Sequence, residues 1–91
     1  MYRIIDSRGS GKTSRLMLLA KENDVAIACS NPAAMRQKAY AYGITGIDFI
    51  SYNDLIDGWD GNVFIDEIEV FVKYFLGYDI RLEGYTLSNE D

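Results

Sequence analysis

The chain has no histidine, one cysteine and one proline among its 91 residues. Without histidine, and with Cys29 standing alone, the usual nitrogen and sulfur ligands of zinc are missing, which excludes a zinc centre on donor chemistry. Cys29 has no second cysteine to join, so no internal disulfide is expected. No apolar run approaches the ~20 residues that cross a bilayer as a helix. The opening Met1-Tyr2-Arg3-Ile4-Ile5-Asp6 has neither a long apolar core nor a small-residue cleavage site. The expectation is a cytoplasmic location with no membrane partner. Basic residues are scarce in the second half: residues 46–91 hold two Lys/Arg against eleven Asp/Glu, whereas residues 1–45 hold seven against three. The acidic half opposes broad, non-specific contact with DNA or RNA, so nucleic acid is not an expected partner.

What is present is apolar surface for a core. The apolar share is 48% and the aromatic share 13%, a globular rather than a disordered composition. The length suits one small domain over residues 1–91. Tyr2–Asp6 reads as a strand and the Gly/Ser loop after it leads into a helix over Lys12–Glu22, with Leu16, Leu19 and Ala20 at helical spacing. Asn23 is the expected left-handed end of that helix. Val25–Cys29 is a continuous apolar run of strand length, the pattern of a parallel strand covered on both faces. Asn31-Pro32 is a helix start, with a capping side chain and then proline at the first helical position. That helix is expected to reach Tyr42 and stop at Gly43. Ile47–Ser51 reads as a third strand, Asn53 as the cap of a short turn over Asp54–Asp57, and Val63–Asp66 as a fourth strand. Ile68, Phe71, Val72, Phe75 and Leu76 form the strongest helical stripe, with Gly77 as its end. Ile80–Leu87 is β-like. Strands alternating with helices predict an α/β fold of about five mostly parallel strands flanked by helices.

The loop carries the chemistry. Gly9-Ser10-Gly11-Lys12-Thr13 has the form of the end of a Walker A motif, placed between an apolar strand and a helix as that motif requires. Glycines let the backbone curl around a phosphate, and the amides of residues 9–13 then converge at a helix N-terminus. Lys12 supplies a positive point charge for the β- and γ-phosphates. The Thr13 hydroxyl is a hard oxygen donor suited to Mg²⁺. Arg8 and Ser14 flank the loop and complete the expected nucleotide-binding set of Arg8, Gly9, Ser10, Gly11, Lys12, Thr13 and Ser14. Asp6 stands where the full pattern begins with glycine. It can cap loop amides, but it also sets a carboxylate near the phosphates, which weakens affinity.

Val63-Phe64-Ile65-Asp66-Glu67 is an apolar strand ending in two acids, the form of a Walker B motif. In that reading Asp66 joins Thr13 in holding Mg²⁺, and Glu67 polarises the water that attacks the γ-phosphate. The competing reading is two solvated acids favoured by a helix dipole.

With both motifs in hand, Ser7-Arg8-Gly9-Ser10-Gly11-Lys12-Thr13 resembles the loop of phage large-terminase ATPases. The order of elements resembles the first ATPase lobe of superfamily 2 helicases. The chain is also similar to short P-loop proteins of phages and prophages. The resemblance implies a three-layer P-loop core, ATP as ligand, and Lys12 and Glu67 as catalytic residues. Thr86-Leu87-Ser88 falls where those lobes couple hydrolysis to motion. No segment matches their second lobe, nuclease domain or arginine finger, so any hydrolysis is expected to be slow or partner-dependent. The alternative is a non-enzymatic regulatory or interaction protein that keeps the fold with vestigial binding. Because nothing else flanks Tyr2–Asp6, an open sheet edge is expected there, offered to a second copy or another protein. Trp59, Tyr40 and Tyr42 are read as packing residues rather than base-stacking ones, and Cys29 as an inert strand end.

Overall fold

In the computed structural model, which describes residues 2–5, 11–77, 79–86 and 88, the apolar run before Ser30 becomes the middle of a parallel sheet. β1 (Ala26–Cys29) lies between β2 (Phe49–Ser51) and β3 (Val63–Ile65). Ile27 is in register with Phe49 and Phe64, and Ala28 with Ile50 and Ile65. All four β1 residues are buried, which is why the segment has no alternating polar position.

Successive β1 side chains serve opposite faces. Ile27 and Cys29 pack with Met17 and Ala20 of α1 (Lys12–Asn23), with Met35 and Ala39 of α2 (Pro32–Ala41), and with Phe49. Ala28 joins Ile50 and Tyr52, with Leu55 of α3 (Tyr52–Gly58) and Phe71 of α4 (Ile68–Leu76) packed against them. Met17 and Ile27 are fully buried, worth about 1.5–3 kcal/mol each. The described residues thus form a small α/β domain of four helices and three parallel strands, with helical side chains against both sheet faces.

The helix ends show where side chains compete for backbone groups. Asn31 caps α2, its Oδ1 accepting from the Ala34 N–H at 3.1 Å, with Pro32 following. The cap of α3 is Ser51 rather than Asn53. The Asp54 N–H donates to Ser51 Oγ at 3.0 Å and the Ser51 N–H donates to Asp54 Oδ2 at 3.2 Å, and this reciprocal box starts the helix earlier than Asn53 would. Asn53 instead donates to Asp57. At the end of α1 the left-handed residue is Asp24 (φ 54°), because Asn23 stays helical and its amide donates to the Leu19 carbonyl.

Two further expectations are corrected. Residues 2–5 and 80–86 form no strand, so the two outermost of the five expected strands do not appear among the described residues. The Tyr2 ring does lie edge-on to Phe64 at 5.9 Å, and the Arg3 guanidinium donates to the Ser88 carbonyl. Tyr40, Tyr42 and Trp59 are exposed rather than packed; α2 buries Met35 and Ala39 instead. The apolar stripe of α4 is not buried either: among its residues Phe75 is 65% and Ile68 52% exposed, while Phe71 reaches Tyr52.

Candidate active site

The three strands end at one edge of the sheet, where the chain passes into Ser30, Tyr52 and Asp66. Asp66 is fixed on both sides of its backbone. Its N–H donates to the Ala28 carbonyl at 3.0 Å, and its carbonyl accepts the Tyr52 hydroxyl at 2.7 Å. Its carboxyl is held above the usual carboxylate range. Burial is the main cause and Glu69 adds to it, against the opposing charges of Lys38 and Lys12.

Glu67 follows at φ 58° and ψ 68°, a left-handed conformation that costs a non-glycine residue roughly 1–2 kcal/mol. Its carbonyl accepts from the Val70 and Phe71 amides at 2.9 and 3.1 Å and so opens α4. Its carboxylate turns back toward α1, where Oε1 lies 3.8 Å from Lys12 Nζ. Opposing effects meet at this carboxyl. A hydrogen bond with the Glu69 carboxyl, burial, and the charges of Glu69 and Asp66 raise its pKa, and Lys12 lowers it. At 3.8 Å, and with both side chains partly exposed, the ion pair is the weaker influence, so the carboxyl stays above its ordinary value.

Lys12 opens α1 directly after Gly11, which sits at φ 84° and ψ 17°. A Cβ at Gly11 would meet only Ser14 Oγ at 3.6 Å, so the backbone conformation rather than crowding selects glycine. The Ser14 hydroxyl donates to the Gly11 carbonyl at 2.9 Å and braces the turn from within. Thr13 is half-buried in the same turn. The helix start has no side-chain cap and no acid in its first turn, which leaves its leading amides suited to an anion.

Of the expected site residues, Lys12 and Glu67 come within ion-pair reach, and Asp66 stands within the field of Lys12. Gly11 and Ser14 shape the turn beside them. Asp6, Arg8, Gly9 and Ser10 lie outside the described residues. Arg15 lies on the exposed side of α1. For Mg²⁺ the donor set fits by chemistry, since the Thr13 hydroxyl and the Asp66 carboxylate are hard oxygens. Among the described residues no group of three or more His, Cys, Asp or Glu forms a cage. Cys29 is inert as expected: its thiol is buried, donates to the Ile50 carbonyl at 3.7 Å, and is pushed up to about 11, chiefly by burial.

Two contributors escaped the sequence reading. Lys38, on exposed α2, adds its charge at Asp66. Tyr52 is 3% exposed and bonds the acidic turn. An aromatic directly after an apolar strand was the only signal for it, and that signal reads equally as packing. No family model, curated protein or solved structure matches this chain.

Proposed function

We propose that the chain is a P-loop nucleotide-binding domain of phage type that takes Mg-ATP and hydrolyses it slowly when alone. The observation that carries this is the 3.8 Å approach of Lys12, from the Gly-Ser-Gly-Lys-Thr loop, to Glu67, from the acidic pair ending β3. Residues far apart in sequence meet in the order that the two motifs require.

In this reading the Lys12 ammonium leaves Glu67 and binds the β- and γ-phosphates, with the amides of residues 9–13 cradling them. Thr13 and Asp66 would hold Mg²⁺, which supplies positive charge to the phosphate oxygens when bound. The Glu67 carboxylate accepts a proton from water as the water oxygen bonds to the γ-phosphorus. The bond from that phosphorus to the bridging oxygen breaks, releasing ADP and inorganic phosphate. The finer architecture belongs to the same proposal: a three-layer P-loop core, with residues 2–5 beside the β3 edge of the sheet. The Tyr2–Phe64 ring contact and the bond from Arg3 to Ser88 support that placement. Residues 2–5 then lie at a sheet margin where a second copy or a protein partner pairs.

Calorimetric titration of ATP with and without Mg²⁺ tests the reading. The expected result is saturable binding strengthened by Mg²⁺, with Glu67→Gln binding equally and losing turnover. Absence of binding under both conditions would overturn it. That outcome favours the second reading, a regulatory or interaction protein with a vestigial loop, which the uncovered apolar stripe of α4 supports.

A further inference from the structure

We infer that Tyr52 is the positioning residue of this site: its hydroxyl holds the Asp66–Glu67 turn in the conformation that aims Glu67 at Lys12. The inference rests on the proposed ATPase reading for its catalytic consequence. Its structural content stands independently.

β3 ends at Ile65, and the Asp66 N–H carries its ladder one bond further, to Ala28. The Asp66 carbonyl has left the ladder and is taken by the Tyr52 hydroxyl at 2.7 Å. The Glu67 carbonyl lies 3.4 Å from the same hydroxyl. One phenol therefore spans both carbonyls of the turn at the point where φ becomes positive. A left-handed glutamate is disfavoured unless its surroundings over-determine it. The Asp66 amide bond fixes where the turn starts, the Val70 and Phe71 amides fix where α4 begins, and Tyr52 fixes the peptide between them.

Tyr52 is itself fixed. It opens α3 directly after the Ser51 cap, and its ring sits edge-on to Phe71 at 5.2 Å and tilted against Tyr74 at 5.8 Å. Burial, followed by the charge of Asp66, raises its pKa, which keeps the hydroxyl protonated as a donor across the physiological range. A residue present only to fill the core would need the ring alone. The hydroxyl, buried and spent on the acidic turn, is the feature that packing does not explain.

Tyr52→Phe keeps the ring and removes the donor. A positive φ brings the amide and α protons of one residue close together, so NMR of the full ligand-free chain reads the turn directly. Glu67 should show a strong intraresidue amide–α cross-peak in the parent and an ordinary weak one in Tyr52→Phe. With Mg-ATP, kcat should fall about tenfold to a hundredfold, as displacing a catalytic group does, with KM unchanged. A strong Glu67 cross-peak retained in Tyr52→Phe, or absent from the parent, overturns the inference. If the parent neither binds nor hydrolyses ATP, the functional reading fails and the cross-peak still decides the role of Tyr52. If Tyr52→Phe does not fold, the pair Tyr52→Phe/Glu67→Gly decides. Glycine accepts positive φ without support, so the pair should fold; an unfolded pair makes the hydroxyl a general core requirement and overturns positioning.

Discussion

Glu67 offers a direct measure of strain at the candidate site. Its φ of 58° places a Cβ where only glycine is at ease, and the left-handed region costs other residues roughly 1–2 kcal/mol. Replacing Glu67 by glycine relieves that strain but adds about 0.4–1 kcal/mol of chain entropy to the unfolded state. Replacing it by alanine keeps the strain and removes the same carboxylate. Both variants lose the 3.8 Å pair with Lys12 and the contact with Glu69, so those effects cancel in the comparison. Glu67→Gly should therefore exceed Glu67→Ala in stability by about 0.5–1 kcal/mol. At about 4–8 °C per kcal/mol for a domain of this size, that is about 2–8 °C in Tm. Thermal unfolding followed by circular dichroism at pH 7 suffices. An alanine variant as stable as the glycine variant would show that Glu67 carries no left-handed strain, and the reasoning would fail.

Lys12→Ala should lose the rise in Tm that Mg-ATP gives the parent, while its ligand-free Tm changes little, because a long and partly exposed pair contributes at most about 1 kcal/mol; an unchanged ATP response would remove the loop from the site. Asp66 and Glu67 have carboxyl pKa values raised above their ordinary 3.8 and 4.5. The folded chain then holds more protons than the unfolded one, so the stability they contribute is complete below the ordinary values and is lost as pH rises through the raised ones. Ligand-free Tm should fall from about pH 4 towards neutrality, and Asp66→Asn should flatten that fall and raise Tm at pH 7 while weakening Mg-ATP binding; a steeper fall in Asp66→Asn would contradict the burial argument. Light scattering across a concentration range should show mass increasing on addition of Mg-ATP, and a monomer at every concentration would remove the sheet margin as a pairing surface.

Local rules made much of this fold legible. The unbroken apolar run ending at Cys29 read as a doubly covered strand because nothing along it alternates, and it is the central strand. Asn31-Pro32 read as a helix start because both residues act on the same few backbone groups. The errors arise where two local solutions compete or where tertiary contacts decide. Ser51 rather than Asn53 is the cap because Asp54, three residues on, answers it reciprocally. The stripe on α4 read correctly as a helix, but periodicity names a face and not what covers it. At the site, Lys12 and Glu67 were legible as motif ends, whereas the bond from Tyr52 to Asp66 joins two elements that no sequence spacing links.

The distribution of unfavourable features is itself informative. At the ends of β1 and β2 the chain leaves the sheet with its side chains used well: Asn31 caps α2, and Ser51 with Asp54 opens α3. At the end of β3 the opposite holds. Glu67 is left-handed, α4 opens without a side-chain cap, Asp66 is half-buried with its carboxyl pKa raised, and a second and third carboxyl crowd beside it. A sequence selected for stability alone would place at residue 67 a glycine, which accepts positive φ, or a capping serine or asparagine of the kind found at the other two strand ends. Features that oppose folding persist where something other than folding favours them. The contrast among the three strand ends of one sheet therefore supports the proposed placement of the site at the end of β3.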